Sequence, residues 1–197
     1  MKNLVRMERG FTMLEVLVAL LILLIGLLGL AGLLVTTQQG EVEAYQRKQA
    51  TVLLQDMVDR LTANNKVAGV AGVCYAFTTD TANGAPSLGT GNAVNAAFTC
   101  TGGTPSQNTR GSADLAAWNN ALLGTSELKG VAQVGAIIDA RGCVTNPATD
   151  VYTISVAWKG LQPTIAPPAA YTCGKGQYTD ERTRRVMSVT IRIAKLT

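Results

Sequence analysis

Three sets of residues carry whatever chemistry this sequence offers. Gly10 precedes Phe11 in "RGFTMLEV", just ahead of a long apolar run, and is the one small residue in a processing-like position. Glu15 is the single charge at the mouth of that run. Four cysteines, Cys74, Cys100, Cys143 and Cys173, all follow it. Their wide spacing forms no CxxC pair, which speaks against a metal knuckle or a thioredoxin-type redox site. An even count in an exported domain points instead to two disulfides formed in an oxidising compartment. Four cysteines allow three pairings, of which the sequence-local Cys74–Cys100 and Cys143–Cys173 are favoured. The chain has no histidine, so His-based catalytic triads and the commonest zinc sites are excluded. It also lacks a nucleophile elbow and a close acidic pair with a partner. No enzymatic activity, cofactor or metal is expected.

These residues need elements to position them, and the first is the apolar run. Val16 to Val35 has no polar side chain, and no charge occurs from Val16 through Gly40. At about 1.5 Å per helical residue this stretch covers the roughly 30 Å hydrocarbon core of a bilayer. A secretory signal would have a shorter apolar run and a small-residue cleavage site beyond it; "VTTQQGEVEAYQ" supplies none. A cut after Gly10 would remove the leader and keep the helix, leaving Phe11 as the first residue. An uncleaved signal anchor predicts the same topology, with Lys2, Arg6 and Arg9 on the cytoplasmic side. The two readings part over Glu15. Leu, Ile and Val dominate the span at roughly −0.3 to −0.6 kcal/mol each, against at most about +3 kcal/mol for one carboxylate. Insertion tolerates Glu15 without explaining it.

"RGFTMLEVLVALLILLIGLLGL" resembles the class III leader and helix of type IV pilins and pseudopilins, through Gly10, Phe11, Thr12 and Glu15. The resemblance implies that a prepilin peptidase cuts after Gly10 and methylates the new amino terminus at Phe11. It also gives Glu15 a role in filament assembly. In an apolar filament core an unpaired charge is costly. The Glu15 carboxylate would meet the α-ammonium of Phe11, in a neighbouring subunit or one turn away in its own chain. The positive end of the helix dipole favours the carboxylate as well.

From Glu41 the helix turns amphipathic without a breaker. Ala50, Leu53, Leu54, Met57, Val58 and Leu61 share one face, while Gln55, Asp56, Asp59 and Arg60 occupy the other. Asn64-Asn65 and Gly69 are stop signals, so a helix over about 12–64 would run roughly 75–80 Å. Gly26, Gly29 and Gly32 serve either close helix packing in a membrane or a helix weak enough to stretch on entering a filament. Residues 66–113 read as a long connection with a short strand at Val73–Phe77. "DTANG" at Asp80–Gly84 lacks the ligand pattern of a calcium loop and reads as a solvated turn. A short helix follows in "SADLAAWNNALLG", capped by Ser112 or Asp114, with Leu115, Trp118, Leu122 and Leu123 sharing a face. Strands are expected at Val131–Ile138, Tyr152–Trp158 and Met187–Ile193. Gly142 and Asn146-Pro147 fall in the connection between the first two.

The fold class is therefore α+β. A long amino-terminal helix, transmembrane and then amphipathic, packs on a small antiparallel sheet with disulfide-pinned loops, as in the pilin fold. The resemblance divides the chain into a leader (1–10), a transmembrane or filament-core helix (11–40) and a periplasmic globular domain (41–197). "AYQRKQATVLLQDMVDRLTANN", with Asp56, Asp59, Arg60 and Asn64, is further similar to the minor pilins called type IV pilus modification proteins. That subgroup implies low copy number, pilus assembly or initiation, twitching motility and adhesion. Its partners would be a prepilin peptidase, other minor pilins, the major pilin and the inner-membrane assembly machinery. A minor pseudopilin of type II secretion is the alternative, and a single-pass membrane-anchored periplasmic binding protein or enzyme ranks below it. The net charge of +4 owes half to the leader, and no nucleic-acid partner is expected. Arg182, Arg184 and Arg185 form the one other basic cluster, read as a solvated loop entering a strand.

Overall fold

The computed structural model describes residues 10–68, 74–91, 99–125, 128–129, 132–133 and 137–194. The chain divides into two compact units, the first ending at Val42 and the second beginning at Glu43. One helix, α1 (Met13–Ala63), contributes to both.

In the first unit every large apolar side chain from Phe11 through Val35 is exposed. Straight-chain Leu loses little rotamer freedom in a helix. The polar residues that follow are absorbed locally: the Thr36 and Thr37 hydroxyls both donate to the Leu33 carbonyl, at 2.8 and 2.9 Å. This part of α1 is long and apolar enough to cross a membrane.

In the second unit α1 buries one stripe, Gln46, Ala50, Leu54, Met57 and Leu61, at the three- and four-residue spacing of a single helix face. Leu53 and Val58 flank it, half-buried. The other face is held by local pairs, Arg60 Nε to Asp56 at 3.0 Å and Gln55 Nε2 to Asp59 at 2.9 Å. Asn64 ends the helix in a turn, and a single further turn, α2, runs over Asn65–Ala68.

The stripe packs on an antiparallel four-stranded sheet, ordered β1-β4-β5-β6: β1 (Leu88–Gly89), β4 (Arg141–Ala148), β5 (Val151–Lys159) and β6 (Arg184–Arg192). Tyr152, Ile154, Val156 and Trp158 of β5 are buried with α1 in one core, as their alternation predicted. Full burial of such side chains is worth about 1.5–3 kcal/mol each. Between them, Thr153 pairs with Thr190 at 3.0 Å and Ser155 with Ser188 at 2.7 Å across to β6. Strand β6 begins earlier than expected, at Arg184, and Ile193 lies just beyond it with its N–H on the Asp150 carbonyl at 2.8 Å.

Three expectations are corrected. First, within Val131–Ile138 the described strand is only β3 (Ala132–Gln133); it pairs with β2 (Leu128–Lys129) in a separate two-stranded sheet. Residues 131 and 134–136 lie outside the described set. The sheet strand before β5 is instead β4, in the stretch read as a connection. Its two punctuating residues have strand uses. Gly142 lets a neighbouring helix approach the strand closely, and Pro147 falls within the register shift between Thr145 and Ala148, where no ladder N–H is required.

Second, the helix around Trp118 starts well before Ser112. α3 spans Pro105–Leu123, capped by Thr104, whose hydroxyl accepts from Gln107 N–H while the Gln107 side chain accepts from Thr104 N–H. The missed signal is "TPSQ", a capping box with proline at the first helical position. Leu115, Trp118 and Leu122 are buried as expected. Neither Ser112 nor Asp114 caps the helix. The Ser112 hydroxyl bonds back to Asn108 O, and Asp114 binds Arg60 and Tyr75.

Third, Val73 lies outside the described residues and Cys74–Phe77 is not a strand. The segment is held by side chains: Cys74 by its disulfide, Tyr75 by its hydroxyl. Backbone pairing begins at Thr78, whose N–H reaches the Val144 carbonyl at 3.1 Å. The disulfides are Cys74–Cys100 and Cys143–Cys173, the sequence-local pairs. The first joins the main core. The second forms a small cluster with Ala157, Tyr178 and Val186 and ties β4 to the long loop before β6.

Candidate functional site

Gly10, Phe11 and Thr12 precede the first helical turn, and all three are exposed. Thr12 caps it. Its hydroxyl accepts from Glu15 N–H at 3.3 Å, and its carbonyl accepts from Glu15 and Val16 N–H at 3.1 and 3.3 Å. "TMLE" is a capping-box sequence, so Thr12 and Glu15 are each the residue type that starts a helix here. The Glu15 carboxylate itself makes no ion pair among the described residues. It stands in the first turn, exposed, where the helix dipole favours a negative charge. The cap accounts for Thr12 and for the backbone of Glu15; the carboxylate is left available to a partner.

The Gly10–Phe11 peptide bond is exposed and lies ahead of α1. The four cysteines are placed elsewhere, all in the second unit, and are consumed as disulfides. Among the described residues no group of three or more Cys, Asp and Glu is arranged to hold a metal ion. "DTANG" forms a tight solvated turn: Asp80 accepts from Ala82 and Asn83 N–H at 3.1 and 3.2 Å, and from the Asn83 side chain at 2.8 Å. Those hydrogen bonds, chiefly from Asn83, hold the Asp80 carboxyl below its ordinary value.

The basic cluster departs from its expected form. Only Arg182 is exposed, and it pairs with Asp180 at 2.9 Å. Arg184 is 3% exposed; it binds Glu181 at 2.6 Å and donates to the carbonyls of Tyr171 and Cys173 at 2.7 and 3.1 Å. Arg185 reaches Glu43 at 3.2 Å and the Gln162 carbonyl at 2.8 Å. Two of the three guanidiniums thus organise the loop before β6, and the third is neutralised next to it. A solvated basic patch does not form.

Trp118 is core, with its Nε1 on the Leu53 carbonyl at 2.9 Å. A polar network that sequence reading missed joins α1 and α3. The Tyr75 hydroxyl donates to Asp114 at 2.6 Å and accepts from Asn64, and Asp114 also takes Arg60 at 3.2 Å. Burial, then the bond to Asp114, pushes the Tyr75 hydroxyl well above its ordinary value. The network joins the end of α1 to α3 and is structural.

Residues 5–31 match the family model of the prokaryotic N-terminal methylation motif. No curated protein and no solved structure matches the chain. The motif identifies a class III prepilin leader, and the helix on an antiparallel sheet with two disulfides is a type IV pilin-like architecture. Such a leader implies processing by a prepilin peptidase and assembly with pilins. The apolar helix and leader are consistent with membrane anchoring and incorporation in a pilus.

Proposed function

We propose that this protein is a minor type IV pilin, of the PilV or type IV pilus modification kind, that acts in pilus assembly or initiation. Prepilin peptidase cuts the Gly10–Phe11 bond and methylates Phe11. The mature chain is anchored in the inner membrane by residues 11–40, with residues 41–197 in the periplasm, and from there enters the fibre. During docking the Glu15 carboxylate meets the Phe11 α-ammonium of a neighbouring subunit. Twitching motility and adhesion follow from the pilus.

The observation that carries this reading is the methylation motif at residues 5–31, joined to a helix whose first turn holds Glu15 exposed and, among the described residues, without an ion pair. A charge that the cap does not consume, at the head of an apolar helix, is a docking group in search of its counter-charge. The subgroup rests on the resemblance of residues 10–65 and on the turn sequence that ends α1.

Mass spectrometry of the amino terminus tests the processing. Coexpression with a prepilin peptidase should remove residues 1–10 and leave N-methylated Phe11, and Gly10→Leu should block the cut. Intact Met1 in assembled fibres would overturn the reading. Gene deletion tests the assignment to a pilus: loss of twitching supports it, while loss of exoprotein release with twitching intact would assign the protein to a type II secretion pseudopilus.

A further inference from the structure

We infer that the loop at residues 161–171 is a membrane-surface contact, with Leu161, Ile165 and Tyr171 resting in the headgroup layer of the bilayer that holds the apolar helix. The inference rests on the reading of residues 11–40 as a membrane anchor.

The loop reads "LQPTIAPPAAY" and carries no charge. Ile165 is 92% exposed, and Leu161 and Tyr171 are exposed as well. Its backbone is nonetheless tied at four points. Leu161 N–H donates to Glu43 at 3.2 Å, Arg185 holds the Gln162 carbonyl at 2.8 Å, Thr164 N–H reaches the Arg182 carbonyl at 2.9 Å, and Arg184 holds the Tyr171 carbonyl at 2.7 Å. Buried or half-buried arginines therefore fix a frame that keeps apolar side chains in the open. Exposed apolar side chains held on a fixed, uncharged loop suit a contact surface.

Chain length selects the occupant. Glu43, which anchors the near end of the loop, lies eight residues beyond Val35, the last residue of the apolar run. Eight residues rise about 12 Å as helix and reach about 28 Å at full extension. The headgroup layer occupies roughly 5–7 Å beyond the hydrocarbon on each side. Chain length therefore sets an upper limit on how far the loop frame can stand from that layer. Tyr45 is exposed two residues after Glu43, and Arg47 and Lys48 follow, exposed too. Aromatic and cationic side chains beside an apolar span are the composition of the bilayer interface.

The test uses the full-length protein, disulfides intact, in vesicles of phosphatidylethanolamine and phosphatidylglycerol containing lipid with a headgroup-proximal doxyl quencher. A polarity-sensitive fluorophore is attached to Ile165→Cys, Thr62→Cys or Leu28→Cys. Thr62 lies on α1, nineteen residues beyond Glu43, and Leu28 lies within the span. The expected result is blue-shifted emission at position 165 that the doxyl lipid largely abolishes, with no quenching at 62. Quenching at 28 with none at 165 would overturn the inference while leaving the anchor standing. A blue shift at 165 without lipid quenching would assign the loop to a neighbouring protein subunit and overturn it equally. No quenching at 28 would remove the anchor reading, and the inference with it.

Discussion

Trp118 fills the space that a side chain on Gly142 would need. A Cβ built at Gly142 runs into the indole ring, and into Leu122 Cδ1 at 2.6 Å. The same indole donates to the Leu53 carbonyl, so one residue of α3 ties the sheet to the long helix. Glycine within a strand is ordinarily a loss of order and of packing; here it admits a tryptophan to the core.

The first prediction tests that packing. Gly142→Val should force Trp118 and Leu122 from their places and lower stability by about 1–3 kcal/mol, the usual range for overpacking. Urea denaturation of the oxidised protein checks this, and an unchanged midpoint would refute the close approach.

Gly111 offers a test by sign. It lies inside α3, where alanine normally gains about 1 kcal/mol over glycine. A Cβ there would lie 2.6 Å from Cys74 Sγ and 2.9 Å from Cys100 Sγ. Gly111→Ala should therefore destabilise the oxidised protein, yet stabilise a variant in which Cys74 and Cys100 are both alanine. The cycle of four unfolding curves measures the coupling. Equal effects in the two backgrounds would mean that the helix does not rest on the bridge.

The bridges themselves close loops of 26 and 30 residues. By the chain-entropy argument each contributes about 3–4 kcal/mol. Alkylation of native protein before mass spectrometry should find no free thiol, and removing either bridge should lower the thermal midpoint. Four readily alkylated cysteines in the folded, exported protein would refute the assignment.

Alkali should weaken the fold through buried tyrosines. Burial pushes Tyr152 up to about 12, and burial also drives Tyr75 and Tyr178 upward, helped by Asp114 and Asp139 respectively. Each folded value lies above the unfolded value near 10. Their contribution is then complete below about pH 10 and is lost as pH rises toward the folded values. Unfolding midpoints measured from pH 8 to 11 should fall on the alkaline side, and Tyr75→Phe should make that fall shallower. A fall of unchanged steepness in Tyr75→Phe would show that Tyr75 takes no part.

Glu15→Val separates assembly from insertion. The apolar span outweighs one interfacial carboxylate by several kcal/mol, so the variant should still insert and be processed. Docking would instead place a neighbour's α-ammonium in an apolar core with no counter-charge, at a cost of about 3–5 kcal/mol, or a hundredfold or more in incorporation. Immunoblots of sheared pili against membranes measure it. Normal amounts of the variant in fibres would reduce Glu15 to an interfacial residue.

Much of this protein is legible along the chain because the deciding interactions are local. The leader motif at residues 5–31 is read by its resemblance to prepilin leaders, and the helix over Met13–Ala63 by a long apolar run that passes into a one-face pattern. The alternation of Tyr152, Ile154, Val156 and Trp158 specifies β5, since its period matches a pleat with one buried face. Tertiary structure decided the rest. Strand β4 looks like a turn in sequence, because Gly142 and Pro147 are turn residues unless Trp118 lies over one and a register shift accommodates the other. Asp114 looks like a cap until Arg60 and Tyr75, distant in sequence, converge on it. Arg184 and Arg185 look like a solvated charge run until a loop closes over them and presents its carbonyls. In each case the residue type states what it can bond to, and only the folded chain brings the partner within reach.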